Sequence, residues 1–169
     1  MCLKMIDDRK YNVIVNDILE NDDFLQMRDI VHHGMNRYDH SVRVSYYSYK
    51  VAKLLCLSYE DVARGGLLHD FFLVKNSDIK FKDRIYTMYN HPKMALRRAD
   101  ECFKLTDKEK DIIRSHMFPI SIRIPRYLES WIVNVVDDFV AIYERLYQIR
   151  YQIATMLNMF LVWIINYLG

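Results

Sequence analysis

A chain of 169 residues, 51% of them apolar, can bury one substantial core and is too short for two ordinary domains. Its 24 Lys and Arg against 22 Asp and Glu leave a net charge of +2, which gives no electrostatic case for a nucleic-acid polymer as partner. Three cysteines at irregular spacing make no disulfide framework, and charges in Met1 to Lys10 stand where a signal peptide needs an apolar run, so a reducing cytoplasm is the expected location.

Only four glycines and three prolines punctuate the chain, and apolar residues recur every three or four positions, so the fold is expected to be all-α, a single helical domain over 1–169. A first helix is predicted over Asn12 to Leu19 and a second over Asp22 to Val31, with a turn at Gly34 to Arg37 and no convincing strand pair. A long helix begins near Tyr38, with Val42, Tyr46, Tyr49 and Ala52 on its buried face. Ser58 and Asp61 suit an N-cap and first turn for a helix that ends at His69 and Asp70. The segment Phe71 to Asn90 has weak helical order and is expected to be a mobile lid. Pro92 suits a first helical position, so His91 is placed at a helix entry. Thr106 with Glu109 forms a capping box for a helix that delivers His116. Pro119 and Pro125 break the chain, and a helical period resumes near Tyr127 with Asp137 mid-helix.

The tail, about 151–168, is mostly apolar. It falls short of the ~20 residues that span a bilayer and is interrupted by Asn158 and Asn166, so a membrane is not the expected partner. A last helix that closes the core or forms a homodimer face is expected instead.

Against this background stand His40, the adjacent His69 and Asp70, His91, His116 and Asp137, separated by 29, 21, 25 and 21 residues. Imidazole nitrogens and carboxylate oxygens hold borderline first-row metal ions, and no cysteine lies near enough in sequence to suggest a thiolate cluster. Nearly every one of these residues falls on a different predicted helix, as a site in a bundle core requires. Asp70 has two oxygens and could bridge two ions. Taken singly, each histidine would more often be a hydrogen-bonded core or surface residue.

The local contexts Arg37-Tyr38-Asp39-His40, Gly66-Leu67-Leu68-His69-Asp70 and Val135-Val136-Asp137 resemble the pattern of the HD-domain superfamily of metal-dependent phosphohydrolases, over roughly Met35 to Glu144. The chain is also similar to short HD-domain proteins of Gram-positive anaerobes. The resemblance implies an HD helical bundle with the metal site in its core. It implies that His40, His69, Asp70 and Asp137 are ligands, while His91 and His116 fall where dinuclear members carry their extra ligands.

Two divalent transition-metal ions are therefore expected, Fe or Mn first, with Zn, Co, Ni or Mg also compatible. In this reading His40, His69 and Asp137 hold one ion, His91 and His116 the other, and Asp70 bridges. Asp70 or Asp137 is the catalytic general base. The implied activity is hydrolysis of a small phosphorylated molecule, a nucleotide or dinucleotide. A Gly-Tyr-Pro signature is absent after His116, where Met117-Phe118-Pro119 stands, which makes cyclic di-GMP a weaker substrate. His33, Arg37 and Lys75 are the expected substrate-binding residues. Two alternatives share the pattern, a mixed-valent diiron oxygenase and a metal-dependent nucleotide-binding regulatory module.

Overall fold

A computed structural model describes residues 8–32, 35–73 and 81–168. Helix α1 (Arg9–Leu19) starts at Asp8, whose side chain accepts from the Tyr11 amide, and it buries Tyr11, Val15 and Ile18 at four- and three-residue spacing. Helix α2 (Asp22–Leu25) is capped by Asn21 and lasts one turn. The helix predicted to Val31 stops there: Gln26–Asp29 tighten into a 3₁₀ turn and Ile30 is extended. Two-residue strands β1 (Val31–His32) and β2 (Met35–Asn36) then pair antiparallel, where no pair was expected. The β-branched Ile30-Val31 step favours this extended backbone, and the Ile30 carbonyl accepts from the Arg37 amide at 2.8 Å.

Helix α3 (Arg37–Leu54) opens at Asn36, whose side chain accepts from the Asp39 amide. Its first half is buried nearly all round, from His40 through Ser45, so it is the central helix rather than a one-faced one. Leu55 and Cys56, just past its end, are exposed. Helix α4 (Tyr59–Leu68) lies close against α3. A Cβ on Gly66 would sit 3.1 Å from the Ser45 Cα, so glycine permits the backbone approach. Ser58 does occupy the N-cap position of α4, yet its side chain makes no cap bond. Its hydroxyl accepts from Lys108 instead, at 2.6 Å.

Helix α5 (Phe81–Cys102) carries Pro92 in its interior. The expected lid therefore becomes helix from Phe81, and His91 sits mid-helix rather than at an entry; positions 74–80 lie outside the described residues. Pro92 removes one N–H from the helical ladder, a cost of about 3 kcal/mol that the packing of the helix must outweigh. Ala95 and Ala99, fully buried on the next turns, supply part of that packing.

The capping box at Thr106 and Glu109 forms as predicted and starts α6 (Asp107–Ser115), with His116 at its C-cap. Helix α7 runs unbroken from Leu128 to Leu168, 41 residues. Its first part buries Glu129, Ser130, Val133, Asn134, Val140 and Glu144 against α3 and α6. From Arg145 onward it is mostly exposed, so the tail does not close this chain's core. By length and composition alone, this helix could cross a membrane.

Candidate metal centre

The α3 N-terminus, the α4 C-terminus and the middle of the first half of α7 bring His40, His69 and Asp137 together. His40 Nε2 lies 2.9 Å and His69 Nε2 3.6 Å from Asp137 Oδ1. The turn just after α4, the middle of α5 and the end of α6 bring Asp70, His91 and His116 together. His91 Nε2 is 3.0 Å from His116 Nε2, and Asp70 Oδ1 is 3.4 and 3.6 Å from them. Within each group the donor atoms all lie within 4.8 Å of one another. His69, at the C-cap of α4, and Asp70, in the turn that follows, thus fall in different groups although they are neighbours in sequence.

The spacing fits metal ions. Donors held ~2.1 Å from an ion are about 3.0 Å apart at a right angle and about 3.4 Å apart at a tetrahedral angle. The ring orientations fit too. His69 Nδ1 donates to the Gly66 carbonyl at 2.7 Å and His116 Nδ1 to the Ile113 carbonyl at 2.8 Å, which leaves each Nε2 lone pair facing its group. His69 Nε2 and Asp70 Oδ1 are buried with no hydrogen bond, which in a dry interior is costly unless another ligand takes the lone pairs.

Electrostatics favour ionised carboxylates. Burial pushes the Asp70 carboxyl up, and the imidazoles of His69, His116 and His91 outweigh it, holding it well below the usual carboxylate range. Asp137 behaves alike, against burial, through His69 and His40. Burial alone would depress His40, but Asp137 and Glu144 raise its pKa to about 10.

Glu144 escaped the sequence reading as a functional residue. It is fully buried, accepts from Arg43 at 2.5 Å and meets His40 Nδ1 at 3.0 Å, so it fixes which His40 nitrogen faces Asp137. The available signal was its place seven residues after Asp137, two turns on along the same helix face. Asn134 was also missed. Its amide donates to the carbonyls of His116 and Phe118, pinning the end of α6 to α7.

Of the expected substrate-binding residues, His33 and Lys75 lie outside the described residues. Arg37 is buried beside the site. Its guanidinium stacks 3.7 Å over the Phe72 ring, donates to the Phe72 carbonyl at 2.5 Å and keeps an unpartnered Nε. The Phe72 ring in turn lies 5.4 Å from that of His91, so it flanks the second group, whereas Phe71 packs into the core against Phe24. Asp138, the neighbour of Asp137, is exposed.

Comparison with curated proteins and with solved structures returns no match for this chain. A model of the HD domain matches residues 37–142, most of the chain and every residue of both donor groups. With that match, the helical fold and the two groups of His and Asp side chains, the chain belongs to the HD-domain family, a superfamily of metal-dependent hydrolases.

Proposed function

We propose that the protein is a dinuclear-metal phosphohydrolase acting on a small phosphorylated molecule, a nucleotide or dinucleotide. The observation that carries this reading is the pair of adjoining donor groups, each with a buried atom that lacks a hydrogen bond, His69 Nε2 in one and Asp70 Oδ1 in the other. His40, His69 and Asp137 would hold one ion, and His91, His116 and Asp70 the other.

Ions bound there would supply Lewis acidity towards phosphoryl oxygens and activate water near neutral pH. The protein's own groups do the rest. Glu144 holds His40 in the ligating tautomer. Asp70, kept ionised by the surrounding imidazoles, would give Oδ1 to the second ion, and its other oxygen would orient an attacking water and take its proton. Asp137 Oδ1 is engaged by His40, which leaves it the lesser candidate for that role. The Arg37 guanidinium places positive charge beside Asp70 and holds Phe72 over His91, an apolar wall that keeps bulk water from one side of the second group.

The test is elemental analysis of anaerobically purified protein together with a phosphate-release screen over nucleotides and dinucleotides. Two ions per chain with metal-dependent release is the expected result. Oxygen consumption by iron-loaded protein without phosphate release would turn the assignment to an oxygenase. A large nucleotide-induced rise in Tm without turnover would turn it to a binding module.

A further inference from the structure

The longest unexplained feature lies on α7. From Val135 an exposed apolar residue follows at Phe139, Ile142, Leu146, Ile149 and Ile153, and the same alternation of four and three continues unbroken to Trp163 and Tyr167. Every position in this stripe is at least 41% exposed and none is charged. A spacing of 3.5 residues sustained over more than four heptads is the pattern by which one helix packs along another.

Among the described residues, the stripe is left exposed by the chain's own fold. The face of α7 that packs on the domain carries Val133, Asn134, Val140 and Glu144 instead. We infer that two copies of this chain pair along this stripe, antiparallel, as a dimer.

Two observations select a second copy, and a third sets the direction of pairing. The stripe offers on the order of 1,000 Å² per chain, given ten large side chains about half exposed, against the ~800 Å² per partner of a stable interface. Its first half lies beside the metal ligand Asp137 and is flanked by Asp138 and Arg145. A bilayer could cover only the uncharged part beyond Arg150 and would leave Phe139, Ile142 and Leu146 in water.

The third observation sets the direction. The domain half of α7 exposes a stripe beside a depression of about 350 Å³ where Tyr47 of α3 meets Phe139 and Tyr143. The outer half is apolar on more faces, with Leu157 and Leu161 exposed outside the stripe. Antiparallel pairing lays the broad outer half of each copy along the stripe and depression of the other. Parallel pairing would leave those extra faces uncovered. Symmetry about the middle of the stripe sets Ile142 opposite Phe160 of the second copy.

Sedimentation equilibrium of the full chain without detergent tests this. We expect a dimer that Leu146→Lys with Ile153→Lys weakens by at least about tenfold, while Asn158→Lys, on the opposite side of the helix from the stripe, leaves it intact. Circular dichroism and metal content confirm that each variant is folded. For direction, in a background with Cys2, Cys56 and Cys102 changed to serine, Ile142→Cys with Phe160→Cys should crosslink the dimer and Ile142→Cys alone should not. A monomer, a dimer indifferent to the stripe charges, or crosslinking by Ile142→Cys alone overturns the proposal. So does a chain that floats with phosphatidylcholine and phosphatidylglycerol vesicles and needs detergent to leave them, which would make lipid the occupant.

Discussion

The two donor groups adjoin, yet they are held in different ways. His40, in the first, is fixed by a side chain: Glu144 reaches its far nitrogen and is itself charge-paired with Arg43. In the second, His116 is fixed by a backbone carbonyl of its own helix turn, and His91 sits just before the proline in α5. A carboxylate behind a ligating imidazole raises its basicity and fixes its tautomer, which a neutral carbonyl does more weakly. The first group is therefore expected to hold its ion more tightly, and the second to be the one that empties and refills with conditions.

Removing a ligand from either group should expose that asymmetry. Asp137→Ala takes the carboxylate from the first group and leaves Glu144 behind His40. The expected result is loss of that ion and a fall in phosphate release of about 10³-fold, the equivalent of several kcal/mol of transition-state stabilisation. His91→Ala should lower the metal content from two ions towards one and leave the first ion in place. Titration with a chelator checks the order of loss, and an equal loss of both ions from the wild type would break the comparison.

A subtler probe is Glu144→Gln. Glutamine keeps the volume but not the charge, so His40 loses the partner that makes it a better ligand. A 10- to 100-fold drop in affinity is expected at the first group alone, as for other residues that support a metal ligand from behind. Isothermal titration with Mn²⁺ resolves it. An unchanged first step would mean that Glu144 serves only to neutralise Arg43.

How far the sequence reveals these differences depends on what each residue leans on. His40, His69, Asp70 and Asp137 stand in short local contexts that carry the family resemblance, and the capping box at Thr106, which starts α6, is legible from residue types three apart. Glu144 leans on His40 and Arg43, more than a hundred positions away in the chain, and only the crossing of α7 over α3 brings them together. Pro92 looks like a helix start because its local cost is usually decisive, and here the burial of Ala95 and Ala99 overrides it. The β1–β2 pair is too short to leave a periodic signal. The union of two predicted helices into α7 is hidden for the opposite reason: the period never breaks, and an apolar tail reads equally as a core-closing helix or as a homodimer face, of which the exposed tail excludes only the first.

The smallest effect separates the stability of a helix from the integrity of the group it carries. Thr106 caps α6 by accepting from the Glu109 amide, with Glu109 returning the bond to the Thr106 amide. Thr106→Ala should cost about 1 kcal/mol, or 2–4 °C in Tm for a chain of this size. His116 lies at the far end of that helix, held by the Ile113 carbonyl and by Asn134 across from α7. Fraying at the capped end therefore does not reach it, and metal content should stay at the wild-type value while Tm falls. If ions are lost in step with Tm, the second group depends on the whole of α6 rather than on its last turn, and the contrast with the braced first group is deeper than the contacts of His116 alone imply.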